Sequence, residues 1–254
     1  MKKIAGAIIT FNEEKNIERC IKGLMDCVDE IVVLDSFSSD RTKEICQRYE
    51  VSFFQKEWEG YAQTKNKLND LIDADYIFSV DADEVPDDIL KEEIRKIKED
   101  SFNGIYILNR RTNYCGKWIK YCGWYPEYKK RIFPKSQACW KGDFVHEYLS
   151  FDVTIQTKNI GGHLEHYSYY DHSEHRSRAN KYAVLSAQKY YTEKRRVFFL
   201  QSELSAVVKF LNIFIFKRGF LDGFAGFHIA WISGASNRLK YKELKKLYAE
   251  NKVV

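Results

Sequence analysis

Apolar positions keep two alternating rhythms through the first hundred residues. Ile4–Thr10 is a short apolar run; behind it Ile17, Cys20, Ile21 and Leu24 recur at helical spacing, with Asn12 placed to cap them. Residues 31–34 read as a second buried strand, 36–40 as a loop and cap, and Thr42, Ile45, Cys46 and Tyr49 again mark one helical face. Residues 51–55 predict a third strand, 60–72 a third helix and 76–80 a fourth strand. Asp87 and Asp88 then open a fourth helix, where carboxylates favour the positive end of the aligned peptide dipoles. Strand and helix alternating in this way predict an α/β fold, a mainly parallel sheet covered on both faces as a three-layer sandwich. After Gly104 the rhythm changes. Residues 104–111, 128–133, 144–149 and 162–167 read as strands, and from about Ser173 the chain reads as helices with a break at 217–219. The pattern divides the chain into 1–170, with halves 1–103 and 104–170, and a helical extension over 171–254.

Parallel sheets of this kind bind ligands beyond the carboxyl ends of their strands. Thr10, Asn12 and Glu13, then Asp35 to Asp40, then Asp81-Ala-Asp83-Glu84 all fall at that edge. Along a strand, alternation would send Asp81 and Asp83 to one side. Two hard oxygen donors there suit Mg²⁺ or Mn²⁺ shared with a substrate diphosphate. Asp40, just before Arg41 and Thr42, reads as a helix cap instead.

Composition narrows the class further. The chain has 254 residues, 44% apolar and 30% charged, which is globular, and a formal charge of +5. Acids gather in the first hundred residues and bases after Arg110, which suits an anionic acceptor or leaflet as well as a plain solvated face. Nothing points to nucleic acid. The six cysteines lack close pairing motifs, and Met1-Lys2-Lys3-Ile4 has no secretory pattern, so a reduced, cytoplasmic setting is expected. No uncharged apolar run of spanning length occurs.

The motifs themselves run in a familiar order. Thr10-Phe-Asn-Glu-Glu14, Leu34-Asp-Ser-Phe-Ser-Ser-Asp-Arg-Thr42 and Trp58-Glu-Gly-Tyr-Ala-Gln-Thr-Lys-Asn66 come first. Ser79-Val-Asp-Ala-Asp-Glu84, Gly123-Trp-Tyr-Pro126, Val145-His-Glu147 and Leu221-Asp-Gly223 follow. Together they resemble the inverting glycosyltransferases of family 2, with the GT-A fold, and most of all the bacterial subgroup that adds β-1,4-linked glucose to the lipopolysaccharide inner core. Two positions depart from that pattern: Phe37, where the family often has glycine, and Thr64.

The resemblance implies a metal-dependent transfer of a hexose, glucose from UDP-glucose, to a glycan or glycolipid acceptor. Asp35 would face the nucleobase, with Thr10, Asn12, Glu13, Lys65, Asp81 and Ala82 around the nucleotide-sugar. Asp83 would ligate the cation, with Asp81 and with His166, which stands where the family places a histidine near the metal. Single displacement needs one group to take the acceptor hydroxyl's proton on the face opposite the leaving diphosphate. Glu147 is that candidate base, with His146 and Asp143 as alternatives. The aromatic loop 114–125, with Trp124 and Tyr125, and the nearby Arg111 would meet the acceptor, although aromatics also simply fill cores.

Some readings stay open. His163, His166, His172 and His175 cluster in sequence, but strand alternation separates the first two, and the others fit a solvated helix start. The apolar segment 206–216, followed by Lys217 and Arg218 and a second apolar helix, fits a membrane-interface element on the cytoplasmic face of the inner membrane. A packed helical hairpin has the same pattern. Asp81-Ala-Asp83-Glu-Val85 also fits the nucleophile motif of haloacid-dehalogenase-type phosphatases, and a non-catalytic carbohydrate- or membrane-binding protein is a third reading.

Overall fold

The computed structural model describes residues 1–142 and 147–250. The chain runs β1 (Ile4–Thr10), α1 (Ile17–Met25), β2 (Glu30–Asp35), α2 (Thr42–Cys46), β3 (Ser52–Gln55), α3 (Tyr61–Asp70) and β4 (Tyr76–Asp81). It continues through β5 (Glu84–Pro86), α4 (Asp88–Ile97), β6 (Ile105–Tyr114), β7 (Lys117–Trp118), β8 (Glu127–Pro134), β9 (Ala138–Lys141), β10 (Tyr148–Phe151) and β11 (Thr157–Tyr169). Three helices follow, α5 (His172–Thr192), α6 (Gln201–Leu211) and α7 (Gly223–Glu250). Two compact units result: Met1–Arg110 with Glu127–Tyr167, and Arg111–Pro126 with the residues from Ser168 onward.

In the first unit the strands order as β3-β2-β1-β4-β8-β6-β11-β5. From β3 to β4 every pairing is parallel, as the strand–helix alternation requires. The β4–β8, β8–β6 and β11–β5 pairings are antiparallel, so the sheet changes character at β4. Alternation along β1 splits its side chains between two cores. Ile4 and Ile8 join Ile17, Ile21 and Leu24 of α1 and Leu90 and Ile94 of α4 on one face. Ala5, Ala7 and Ile9 join Ala62 and Leu68 of α3 on the other. That is the expected three-layer α/β sandwich. Asp87 caps α4 as its charge suggests, accepting a 2.9 Å hydrogen bond from the Leu90 amide. Asn12 does not cap α1: the flanking residue is Asn16, four residues later.

Strand β5 was not expected, and Gly23 explains how it fits. A Cβ on Gly23 would stand 2.5 Å from Val85 Cγ1, so α1 and β5 lie closer than any side chain at 23 would allow. This fixes the corner that carries Asp83 and Glu84.

In the second unit α5 and α6 both pack along α7. The break expected at 217–219 is a π-helical turn over Asn212–Phe216, then Arg218 at φ 54° and a 3₁₀ turn over Gly219–Asp222. A Cβ on Gly226 would fall 1.8 Å from the Gly219 carbonyl oxygen, so only glycine lets α7 start so close to that turn. All six cysteines are free thiols. Among the described residues no helix is long and apolar enough to cross a membrane.

Candidate active site

Register sets the edge. Thr10 pairs with Asp35, and Ile9 with Asp81, so the carboxyl ends of β1, β2 and β4 finish together. Thr10 is buried, and its hydroxyl oxygen has no hydrogen-bond partner. Asn12, at φ 55°, ties its loop to the next one: its Oδ1 accepts from the Ser39 amide at 2.8 Å, and its own amide donates to Ser38 Oγ at 2.8 Å. The Glu13 amide donates to Thr42 Oγ1 at 2.9 Å, and the Glu13 carboxylate accepts from Asn16 Nδ2 at 2.7 Å.

Asp35 is completely buried and accepts from the Ser38 amide at 2.9 Å, from the Ser38 hydroxyl and from Gln55 Nε2 at 2.9 Å. These bonds use three of a carboxylate's roughly four acceptor sites, so Asp35 first of all shapes the loop that follows it. Asp40 accepts from the Thr42 amide and hydroxyl and from the Glu14 amide, as a capping residue should. Burial opposes its ionisation, but these bonds outweigh burial and hold its carboxyl below the usual range. Phe37 stands exposed at φ 60°, in the left-handed region, which accounts for the glycine that the resembling family favours there.

The acids after β4 are held differently from one another. The strand stops at Asp81 and residues 82–83 form a turn, so simple alternation does not place Asp81 beside Asp83. Asp81 pairs with Lys65 Nζ at 3.1 Å and Arg131 Nη2 at 2.7 Å. Burial disfavours the Asp81 anion, but Arg131 and Lys65 outweigh burial and hold its carboxyl well below the carboxylate range. Ala82, expected beside the nucleotide-sugar, buries its methyl in the core with residues of α1. Glu84 is completely buried, accepting from Arg131 Nη2 at 2.7 Å, Arg110 Nη1 at 2.8 Å and the Asp81 amide at 3.0 Å. Asp83 meets His166, with Oδ2 3.2 Å from Nε2, and the Tyr167 amide donates to the Asp83 carbonyl at 2.9 Å.

Two cis ligands of an octahedral Mg²⁺ or Mn²⁺ at roughly 2.1 Å stand about 3 Å apart, so the Asp83–His166 pair suits a divalent cation. Among the described residues no third acid, cysteine or histidine completes a protein-only cage. Asp81, the other expected ligand, is not brought to the pair. A donor set of two is what a cation needs when substrate phosphates and water supply the rest.

Lys65 links the acids to the candidate base. It is 2% exposed, on α3, with Nζ 4.7 Å above the Trp140 ring. The same Nζ is 3.1 Å from Asp81 and 3.5 Å from Glu147 Oε1, so residues 65, 81 and 147 converge on one cation. The neighbouring Thr64 hydroxyl is buried and, like that of Thr10, has no partner. His146 and Asp143, the alternative bases, lie outside the described residues.

The expected acceptor residues fall in the second unit. Trp124 is half-buried against Tyr114, Tyr169 and His175, with ring centroids 5.7, 6.0 and 5.8 Å away. Tyr125 is half-buried, and the Arg111 guanidinium lies 4.6 Å above the Trp118 ring. The histidines do not form one site. His163 meets Asp87 at 3.1 Å in the first unit, while His175 and His172 each place Nδ1 near the Tyr114 hydroxyl, at 3.0 and 3.1 Å. His175 is buried rather than solvated, because Tyr114 and Trp124 cover it. Burial, then His172 and His228, push it down to about 4.

Sequence reasoning missed the arginines that hold this edge. Arg131 is buried one step before Ile132 and Phe133, and Arg110 stands 2.8 Å from both Glu84 and Glu127. The available signal was a charge set inside an otherwise apolar strand end, Arg131-Ile-Phe133. Asp222, within Leu221-Asp-Gly223, is a further residue that sequence spacing alone does not single out. It is buried and accepts from the Lys120 and Tyr121 amides at 3.1 and 2.8 Å, which pins the aromatic loop.

Residues 7–153, more than half of the chain, match the sequence profile described as glycosyl transferase family 2. A Rickettsia typhi protein named as an uncharacterised glycosyltransferase is 25% identical over 273 residues, covering 100% of this chain and 90% of its own length. The lipopolysaccharide core biosynthesis glycosyltransferase LpsC of Rhizobium meliloti is 25% identical over 236 residues, covering 88% of this chain and 85% of its own. Residues 1–349 of Staphylococcus aureus TarS, solved in complex with UDP, superpose with a TM-score of 0.48 at 12% identity, covering 98% and 92% of the two chains.

Proposed function

This chain belongs to glycosyl transferase family 2, and on that premise we propose that it moves glucose from UDP-glucose to a glycan or glycolipid by single displacement with inversion. As a transferase of this family it is an enzyme, which removes both the phosphatase and the non-catalytic reading of Asp81-Ala-Asp83. Likeness to LpsC favours a lipopolysaccharide core as acceptor. The observation that carries the reading is the convergence of Asp81 and Glu147 on Lys65, together with the pairing of Asp83 and His166.

Asp83 and His166 would hold Mg²⁺ or Mn²⁺, which offsets charge on the diphosphate oxygens of the leaving nucleotide. Glu147 takes the proton of the acceptor hydroxyl as that oxygen attacks the anomeric carbon. Lys65 faces Asp81 and Glu147 together and supplies positive charge near the departing diphosphate. The orphaned hydroxyls of Thr10 and Thr64 gain partners when the nucleotide-sugar enters, with Asn12, Glu13 and Asp35 holding the loops around it. Trp124, Tyr125 and Arg111 meet the acceptor.

The helical unit carries a surface suited to an anionic lipid leaflet. Phe199, Phe216 and Phe224 are 86%, 77% and 72% exposed, and Val208, Phe220 and Leu221 are half or more exposed. Exposed Arg196, Lys209, Lys217 and Arg218 border them, so apolar burial and charge attraction would act together at a bilayer surface.

The test is a thermal-shift screen of nucleotide sugars with and without Mn²⁺, followed by NMR of the product's anomeric proton. UDP-glucose should stabilise most, and only with the cation, in proportion to its concentration over Kd. Equal response to every nucleotide sugar, or a product with retained configuration, would overturn the reading.

A further inference from the structure

Helices α5 and α7 enclose a groove of about 640 Å³ that no step of the transfer uses. One wall is polar: His172, Ser173, Arg176, Ser177 and Asn180 recur at one-face helical spacing along α5. The facing wall, on α7, is Phe227, His228, Trp231 and Ile232. Among the described residues no carboxylate lines it. The Phe227 and Trp231 rings are stacked 6.3 Å apart at 15°. His172 and His228 stack face to face, with centroids 4.1 Å apart and planes 9° apart.

Charge in this groove is unbalanced. Arg176 has no ion-pair partner among the described residues, and it lies close enough to His228 to oppose that ring's protonation. His228 is held below its ordinary value by burial first, then by His172 and Arg176. Its ring nitrogens have no hydrogen-bond partner among the described residues, whereas His172 uses Nδ1 on the Tyr114 hydroxyl. Asp171, at the start of the helix, is committed to its cap, accepting from Ser173 Oγ and the Glu174 amide. A guanidinium and two stacked imidazoles without a counter-charge form a site that an anion would relieve. The flat aromatic wall offers the apolar face of a sugar its complement.

We propose that this groove binds a phosphorylated saccharide, its phosphoryl oxygens on Arg176 and His228 and its ring against Trp231. Guanidinium and phosphate match as a two-bond fork, and Ser177 and Asn180 add donors that suit the remaining oxygens. The anion follows from the groove alone; the choice of a saccharide rests on the transferase reading.

The experiment follows the imidazole signals of the full chain by NMR, titrated with glucose 6-phosphate, glucose, inorganic phosphate and phosphatidylglycerol vesicles. Glucose 6-phosphate should move the His228 and His172 signals and raise the titration midpoint of His228, because a bound anion favours the protonated ring. It should bind at least about tenfold more tightly than glucose, and Arg176→Gln should remove about tenfold of that affinity. Trp231→Ala should keep phosphate binding but lose the preference for the sugar phosphate over inorganic phosphate. Arg176 is exposed and, among the described residues, outside any ion pair, so its variant keeps the fold, checked by melting temperature. Unmoved histidine signals, or equal affinity in Arg176→Gln, would overturn the proposal. Vesicles that displace glucose 6-phosphate and depend on Arg176 equally would assign the groove to a lipid headgroup and overturn the saccharide. None of these readouts needs UDP-glucose, so a failed donor screen leaves this result standing, and the reverse also holds.

Discussion

The two units bury polar groups in opposite ways. At the edge of the first, Asp81, Arg110 and Arg131 stay ionised because each charge has a partner within 3 Å. In the second, His175 and Tyr114 are buried beside each other as neutral groups: burial lowers the imidazole to about 4 and raises the phenol. The difference follows from what each place must do. On the proposed function, the first edge would meet a diphosphate and a cation, and it keeps fixed charges ready, held by geometry rather than by water. A cluster that supports a loop needs only shape and a hydrogen bond, and loses charge where it can.

Removing one partner from the charged network tests that contrast most severely. Arg131→Met leaves Glu84 with one cation and Asp81 with Lys65 alone. It should lower stability by about 3–5 kcal/mol, read by urea unfolding, because an uncompensated buried charge remains. A loss below about 1 kcal/mol would mean that the network is far better hydrated than its burial implies.

The same edge should respond to chemistry as well as to stability. Asp83→Ala and Glu147→Gln should each lower kcat about a thousandfold with the melting point nearly unchanged, since cation and base act on the reaction rather than on the fold. Turnover that persists in Glu147→Gln would move the base to His146 or Asp143.

Acid separates the two units. For His175 the unfolded imidazole, near 6.5, takes up its proton before the folded one at about 4. Stability from His175 is therefore complete above pH 6.5 and lost as pH falls toward 4, roughly 3 kcal/mol in all. Asp81 loses stability in the same direction but at lower pH: its folded value lies well below 3.8, so its contribution is intact above that and disappears only in stronger acid. His175→Phe should flatten the stability profile between pH 6.5 and 4 and leave the steeper acid limb. A slope that persists there would place the titrating group elsewhere.

The smallest effect concerns the exposed apolar face. Phe199→Ser or Phe216→Ser should each weaken binding to anionic vesicles by about 1 kcal/mol, roughly fivefold, in a sedimentation assay, and added salt should weaken it further. No change would mean that this face does not meet lipid.

Much of the first unit was legible from spacing. The βαβα rhythm gave β1 through β4, and the edge that gathers Thr10, Asp35 and Asp81 followed from it. The pairing of Asp83 with His166 and of Lys65 with Glu147 spans 83 and 82 positions, and only the resemblance pointed there. Arg110 and Arg131 escaped notice because charges on a strand read as solvated until the opposing strand is known. His175 was misread for a similar reason: a helix start exposes its first turn unless a loop such as 114–124 covers it.

The close approach of Gly23 to Val85 has an evolutionary corollary. Among descendants of this chain, an alanine at 23 should arise together with a smaller residue at 85, because a methyl group there would lever the turn bearing Asp83 away from the helix. The pair should then drift as a unit, and its covariation would trace a clearance rather than a bond.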